Sequence, residues 1–298
     1  MPVGLPPEQI VIRPPVEAFS VLIPVTGGCA WNRCRFCGVY KGVQEFAVRP
    51  LEEVKRDVDA HAEAFPGARW AFLAGGNPTA APTDYLVEVI RHVRSRFPRL
   101  ERLSSYGKVL DLLVKKPAEV RALADAGLTT LYVGLESGSD RVLRSMRKGH
   151  TKRGFVEATR RALDAGLYLS AYVILGLGGR ELSEEHCRET ARAITEAKPS
   201  AVRFRTLNVM RNSPLWEDYQ AGRFELLRPV EMLREEHDVI AQLGDDVHCA
   251  AFNDHVSNFC NLETDDVGRD RKAFLAALRE AMNDPRVRRL GPVNRQVL

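Results

Sequence analysis

The sequence is short of several things whose absence narrows its class. No apolar run approaches the ~18 residues of a membrane-spanning helix. The opening stretch, with Pro2, Pro6, Pro7, Pro14 and Pro15, has no basic segment followed by an apolar one, so no secretory leader is expected and the expected location is cytoplasmic. An excess of one charge sign is also missing. The chain has 43 Lys plus Arg against 39 Asp plus Glu, a net charge of +4 over 298 residues. That is too dilute to predict a polyanion partner, and the densest basic stretch, Arg286, Arg288, Arg289 and Arg295, reads as a solvated tail. A hydrophobic content of 45% excludes a wholly disordered chain. Cysteine is sparse, and three of the six fall within nine residues: Cys29, Cys34 and Cys37, against the scattered Cys187, Cys249 and Cys260. A disulfide framework is not expected in a large chain without a leader; a tight cluster there points to metal or redox chemistry.

What is present is a repeated strand–helix rhythm. Apolar runs of strand length at residues 21–25, 70–74, 102–105, 130–135, 169–175 and 202–207 start roughly 30–50 residues apart, the spacing of βα units in a parallel sheet. Between them lie helix signals. Pro50 is placed at a first helical position, with Glu52 and Glu53 in the first turn. Pro117 and Gly127 bracket one helix, and Thr151 and Gly166 another. Asp125-Ala126-Gly127-Leu128 and Asp164-Ala165-Gly166-Leu167 each lead into a strand that ends in a glycine-bearing loop. The predicted fold is α/β, a partial (β/α)6 TIM-like barrel with a short C-terminal extension. The boundaries are a proline-rich segment 1–18, a core 19–228, and a helical extension 229–298 in which the mixed segment 244–266 covers one end of the barrel. An open doubly wound sheet is the alternative; both place ligands at the carboxyl ends of the strands.

The cysteine cluster follows the first strand directly: Thr26-Gly27-Gly28-Cys29-Ala30-Trp31-Asn32-Arg33-Cys34-Arg35-Phe36-Cys37-Gly38. Three thiolates from one loop can hold an iron–sulfur cube, which normally takes four ligands, and leave one iron open to a non-protein ligand. A structural zinc site needs a fourth ligand nearby, and the next His or Cys is His61. Further motifs sit at other strand ends: Ala74-Gly75-Gly76-Asn77-Pro78 after the second, Tyr132-Val133-Gly134-Leu135-Glu136-Ser137-Gly138-Ser139 with Arg147-Lys148-Gly149-His150-Thr151 after the fourth, and Val173-Ile174-Leu175-Gly176-Leu177-Gly178-Gly179 after the fifth.

On these motifs the chain resembles the radical S-adenosylmethionine (SAM) superfamily, in particular the branch containing Elp3, MiaB and the oxygen-independent coproporphyrinogen oxidase. The superfamily spacing C-x3-C-x2-C is expanded here to Cys29-x4-Cys34-x2-Cys37, with Phe36 matching the aromatic residue before the third cysteine. The resemblance implies that Cys29, Cys34 and Cys37 ligate a [4Fe–4S] cluster. It implies that the backbone at Gly75, Gly76 and Asn77, where Asn77 replaces a frequent Glu, receives the methionyl amine of SAM. It brings Glu136 and Ser137 to the SAM ribose and methionyl portion and Leu175 to the adenine, and Arg205, on the inward side of strand six with Arg203, joins the cofactor set. Plainer readings stand beside these: Gly75-Gly76 as a tight turn, Glu136 as a helix cap, Leu175 as barrel core, and Arg205 paired with a buried carboxylate.

The implied chemistry is reductive cleavage of SAM to methionine and a 5′-deoxyadenosyl radical that abstracts hydrogen from a substrate. It calls for an external one-electron reductant such as flavodoxin or ferredoxin, and a small-molecule substrate is favoured over RNA. His255, Cys249 and Cys260 are the catalytic candidates outside the motifs, and Cys187 reads as a buried hydrophobe on a helix. Two other classes remain open: an iron–sulfur electron-transfer protein without SAM chemistry, which would not need the motifs at strands two, four and five, and an RNA-binding or RNA-modifying protein, which would call for a concentrated basic face.

Overall fold

The computed structural model describes residues 12–294. The expectations for Pro2, Pro6, Pro7 and Arg295 fall outside the described residues. Eight strands hydrogen-bond in chain order: β1 (Val21–Pro24), β2 (Trp70–Ala74), β3 (Arg102–Gly107), β4 (Thr130–Glu136), β5 (Tyr168–Leu175), β6 (Ala201–Thr206), β7 (Ala250–Phe252) and β8 (Glu263–Thr264). The pairs β1–β2, β2–β3, β3–β4, β5–β6 and β6–β7 are parallel, and β7–β8 is antiparallel. Helices fill every parallel connection: α1 (Leu51–Ala64), α2 (Thr83–Arg96), α3 (Val109–Val114) and α4 (Pro117–Ala126), α5 (Asp140–Ser145) and α6 (Lys152–Asp164), α7 (Ser183–Ala197), then α8 (Pro214–Gln220) and α9 (Pro229–Ala241); α10 (Val267–Asn283) and α11 (Pro285–Arg288) follow β8. Among the described residues no helix is long and apolar enough to cross a membrane.

All six expected strands are present, and the fold is α/β with a mostly parallel sheet. Two details differ from expectation. Segment 244–266 contributes β7, paired in parallel with β6 (Ala201 opposite Ala250, Arg203 opposite Phe252), and β8; a three-residue Ala-Ala-Phe strand is too short to show a period. Pro50 lies one residue before α1: its φ of −55° is helical but its ψ of 134° is extended, which makes it the cap, with its carbonyl accepting the Val54 N–H at 3.2 Å. The expected stops and starts hold elsewhere. Gly127 closes α4 in the left-handed region at φ 117°, and Thr151 Oγ1 accepts the Gly154 N–H at 3.1 Å at the opening of α6.

The chain divides into two compact units. Among the described residues, one comprises 12–32, 39–133 and 160–169; the other comprises 33–38, 134–159 and 170–294. In the first, Phe72 meets Tyr106 edge-on at 5.2 Å, within a core that includes Ile23, Leu73, Leu103 and Leu131. A carboxylate sits in that core. Glu17, on a 3-10 turn (Pro15–Glu17), is fully buried and accepts hydrogen bonds from Tyr132 Oη (2.6 Å), Ser104 Oγ (2.8 Å) and the Ser20 hydroxyl, with Arg102 Nε at 3.3 Å. The carboxylate is tolerated because three hydroxyls donate to it and the Arg102 guanidinium lies beside it.

The second unit has its own buried polar pair. Glu236 on α9 is wholly buried, and one carboxyl oxygen accepts from Asn253 Nδ2, which also lies 3.2 Å from Cys260 Sγ. The other carboxyl oxygen and Asn253 Oδ1 are buried without a donor. Burial pushes the Glu236 carboxyl up to about 8, so at neutral pH it keeps its proton and no buried charge has to be compensated there.

Two stability predictions follow from these carboxyls. Glu17→Ala strands the Arg102 charge and three hydroxyls and should cost about 3–5 kcal/mol in urea unfolding, whereas Tyr132→Phe should cost about 1 kcal/mol. The second concerns pH. The folded state holds the Glu236 proton, and that of Glu235 (pushed up to about 7), more tightly than the unfolded chain, whose carboxyls titrate near 4.5. That stabilisation is complete below 4.5 and is lost as pH rises through about 7 and 8. Burial holds His186 and His255 down to about 4, which gives the opposite slope, but only up to their ordinary value of 6.5. Stability should therefore fall between pH 6.5 and 8. Glu236→Gln, which keeps an amide donor and cannot ionise, should flatten that fall when urea midpoints are compared across the range.

Candidate functional site

The three cysteines lie on the loop between β1 and α1, and the two halves of that loop are fastened by different means. The first half, carrying Cys29, is held by backbone. Gly28 turns at φ 59° and its carbonyl accepts the Gly76 N–H at 3.0 Å. A Cβ at Gly28 would collide with the Glu45 backbone, one at Gly75 (φ 136°) with Thr26, and one at Gly76 with the Gly28 carbonyl. Gly75 and Gly76 are thus more than a tight turn: the loop's close approach requires them. Asn77 is wholly buried. Its Oδ1 accepts the Ala30 N–H at 3.0 Å, and its Nδ2 donates at 3.0 Å to Asp111 Oδ2, which also accepts from Thr79 Oγ1 at 2.6 Å. The Asn77 side chain is spent on holding the residue after Cys29.

The second half, Cys34 to Gly38, is docked within the other unit. The Arg35 N–H donates to the Met146 carbonyl at 2.9 Å, and its guanidinium to the Ser145 carbonyl at 3.0 Å and to Asp218; its own carbonyl accepts the Leu215 N–H at 2.9 Å. Gly38 offers its carbonyl to Asn212 Nδ2 at 2.5 Å and its N–H to Met210 sulfur at 3.3 Å, and a Cβ there would strike Asn212. Arg35, set between two cysteines, is the lock of this half.

At the end of β4, Glu136 is buried, lies in the left-handed region at φ 60°, and pairs with Lys148 Nζ at 2.7 Å. Lys148 Nζ is also 6.0 Å from the centre of the Phe36 ring, so Phe36, Lys148 and Glu136 form one cluster. Gly134 has no room for a Cβ because Glu136 and Lys148 occupy that space. The helix-cap reading of Glu136 does not hold: Ser139 caps α5, its hydroxyl accepting the Val142 N–H at 3.2 Å. Ser137 is wholly buried, with its Oγ accepting the Ser139 N–H at 3.1 Å and lying 2.8 Å from His186 Nδ1.

At the end of β5, Leu175 is buried and Gly176 turns at φ 81°. The Gly176 N–H donates to Glu235 Oε2 on α9 at 2.5 Å, and Ser183 Oγ donates to the other carboxyl oxygen at 2.6 Å. His186 Nε2 lies 3.8 Å from Glu235. Burial raises Glu235 and lowers His186 to about 4, so the histidine is neutral. At the end of β6, the buried carboxylate partner expected for Arg205 belongs instead to Arg203, whose Nη1 donates to Asp254 Oδ2 at 2.7 Å.

None of the six cysteines is in a disulfide. Burial pushes the Cys249 and Cys260 thiols up to about 12 and raises Cys187 further, so these three stay protonated and are poor metal ligands. Cys29 and Cys37 are half-buried and Cys34 is buried. Among the described residues no three His, Cys, Asp or Glu side chains converge as a single ion requires, whereas a cube spreads its thiolates over separate irons. Three thiols on one loop, turned by glycines that admit no side chain, suit such a cube. Sequence reading missed Asp111, Asn212, Asp218, Glu235 and His186 as positioning residues. Lys148 lay within a quoted motif, but nothing in the sequence paired it with Glu136.

Glu136→Ala should strand the buried Lys148 ammonium and cost about 3–5 kcal/mol of stability. Glu136→Ala/Lys148→Met should recover most of that in urea unfolding, because the apolar pair leaves no charge uncompensated.

With this geometry in place, comparison with known proteins is informative. A tRNA-2-methylthio-N(6)-dimethylallyladenosine synthase from Bordetella avium is 28% identical over 206 residues, 65% of this chain and 40% of that enzyme. The enzyme of the same name from Hahella chejuensis is 30% identical over 195 residues, 61% of this chain and 42% of that one. The chain thus spans about two fifths of the length of these curated relatives. Among solved structures, methylornithine synthase (PylB) superposes with a TM-score of 0.56 at 15% identity, covering 93% of this chain and 75% of that one. Coproporphyrinogen III oxidase (HemN) from Escherichia coli, a radical SAM enzyme, superposes with a TM-score of 0.56 at 16% identity, covering 74% and 52%. These two show a shared fold. The family model described as the radical SAM superfamily matches residues 23–194, more than half of the sequence and all three cysteines, and the chain belongs to the radical SAM superfamily.

Proposed function

We propose that this enzyme cleaves SAM reductively and abstracts a hydrogen atom from a small-molecule substrate. The observation that carries the reading is the cysteine loop, with Cys29, Cys34 and Cys37 on a backbone fastened at Gly28–Gly76, Ala30–Asn77 and Arg35. A [4Fe–4S] cluster held by these thiolates would supply the one-electron chemistry by which SAM is cleaved to methionine and a 5′-deoxyadenosyl radical.

The chain's own residues bind and orient. Cys29, Cys34 and Cys37 would hold the cluster, three thiolates for a group that normally takes four ligands. The backbone at Gly75 and Gly76 takes the methionyl amine, while the Asn77 side chain fixes the loop. Glu136, held by Lys148 at 2.7 Å, offers an acceptor to the SAM ribose and methionyl portion beside Phe36. Leu175 forms an apolar wall for adenine, and the Glu235 clamp on Gly176 fixes the strand end that carries it.

A small substrate is favoured over the RNA acted on by the named relatives. Several basic side chains on α5, α6 and α7 lie against carboxylates: Arg141 pairs with Glu181, and Lys152 and Arg192 share Glu189. A polyanion surface needs such charges free. The reductant is an external one-electron donor such as flavodoxin or ferredoxin.

Anaerobically reconstituted protein given SAM and a strong reductant should release 5′-deoxyadenosine and methionine. The Cys29→Ala/Cys34→Ala/Cys37→Ala variant, with Cys187, Cys249 and Cys260 intact, should retain almost no iron and release none. Retention of ~4 irons per chain by that variant would move the cluster to other ligands. A loaded wild-type cluster with no SAM binding by calorimetry would favour an electron-transfer protein.

A further inference from the structure

The end of β6 carries two arginines at strand period two, on one face, in different surroundings. Arg203 is buried, paired with Asp254 at 2.7 Å and stacked on Phe252 at 4.1 Å. Arg205 is half-buried, and among the described residues no carboxylate lies within ion-pair distance of its guanidinium.

The loop after β7 is strapped across this strand end. Asn258 Oδ1 accepts the Thr206 N–H at 2.8 Å and Asn258 Nδ2 donates to the Phe204 carbonyl at 2.8 Å, so Asn258 brackets Arg205 on both sides. With Asp254 tied to Arg203 at the start of the same loop, His255 is held next to Arg205; the guanidinium charge acts with burial to keep its imidazole neutral. Ser257 fixes the tautomer. Its N–H donates to His255 Nδ1 at 3.1 Å, with the Ser257 hydroxyl at 2.8 Å. Nδ1 is an acceptor, so the ring proton is on Nε2. This strand end therefore presents a fixed cation and a fixed N–H donor.

We propose that Arg205 and His255 form an anion subsite that takes a carboxylate or phosphate group of the substrate. The guanidinium fork matches either group in two parallel hydrogen bonds, and a neutral imidazole adds a donor without repelling the arginine. The sequence resemblance put Arg205 with the cofactor. Its surroundings favour the substrate, because Arg205 and His255 both lie beyond residue 194, where the match to the family model ends. SAM is common to the superfamily; a site outside the shared residues suits what differs between members. The inference rests on the proposed function only in that an enzyme substrate is the ligand.

The test is the binding of two probes, inorganic phosphate and acetate, to the reconstituted full chain, measured by calorimetry, which needs no turnover and reads the His255 variants as well as wild type. Saturable binding of at least one probe to wild type is expected, with Arg205→Met weakening it ~10-fold or more, the loss of a charge-assisted hydrogen bond. His255→Phe should weaken it less, and His255→Gln, which keeps a donor, should restore most of the affinity. Which probe binds more tightly tells carboxylate from phosphate. SAM affinity by calorimetry should be the same with and without saturating probe. Competition between SAM and the probe would give the subsite to the methionyl carboxylate and overturn the proposal. So would the absence of binding by either probe, or binding indifferent to Arg205→Met. Failure of the proposed function would appear separately, as no 5′-deoxyadenosine from wild type.

Discussion

The cysteine loop depends on a backbone contact that admits no side chain. The Gly28 carbonyl receives the Gly76 N–H at 3.0 Å, and a Cβ at position 28, 75 or 76 would collide with main-chain or Thr26 atoms. A loop that must wrap a group several atoms wide cannot form a regular ladder, so its polar backbone has to be satisfied one group at a time. Gly76, Asn77 and Arg35 do this at Gly28, Ala30 and the 34–38 segment. Cys29 and Cys34 are positioned by what their neighbours bond to.

Charged and polar side chains elsewhere in the fold serve the same end. Asp111 collects Asn77 and Thr79 and so stiffens the support under Ala30. Glu235 reaches from α9, beyond the six expected strands, to the Gly176 N–H. Lys148 meets Glu136 across twelve residues of chain and fills the space that Gly134 leaves. Glu235, Lys148 and Glu136 are buried, and Lys148 or Glu136 would cost stability if left alone, which is why removal of one partner should be worse than removal of both. Glu136, a non-glycine residue in the left-handed region at φ 60°, is strained backbone held in place by its pairing with Lys148.

Much of the fold was legible because its signals are local. The period of the six strands, Gly127 as a stop and Thr151 as a start are written within a turn or two of the residues concerned. The cysteine spacing and Gly75-Gly76 were legible for the same reason. What escaped were side chains whose partners lie far along the chain. Asn77 reads as a weak stand-in for Glu until Ala30, 47 residues away, is seen to need its oxygen. Arg203 and Arg205 are equivalent on a strand diagram; only Asp254, 51 residues on, tells the neutralised one from the other. Strand β7 escaped because Ala-Ala-Phe shows no period at all.

The distribution of these features along the chain bears on how shared and specific chemistry are divided. The residues matched by the superfamily model, 23–194, include the cysteine loop and the motifs at β2, β4 and β5. Strands β6 and β7, α9 and the loop from Asn253 to Leu262 lie beyond it. This later part is nevertheless tied into the shared part by Glu235 on Gly176, so it cannot drift independently of the strand end it clamps. An enzyme that generates a radical needs its substrate held in fixed register with the cofactor. Asn258 straps the loop from Asn253 to Leu262 onto β6 while Glu235 separately clamps Gly176, so changes of side chain in that loop would leave the clamp on the end of β5 in place.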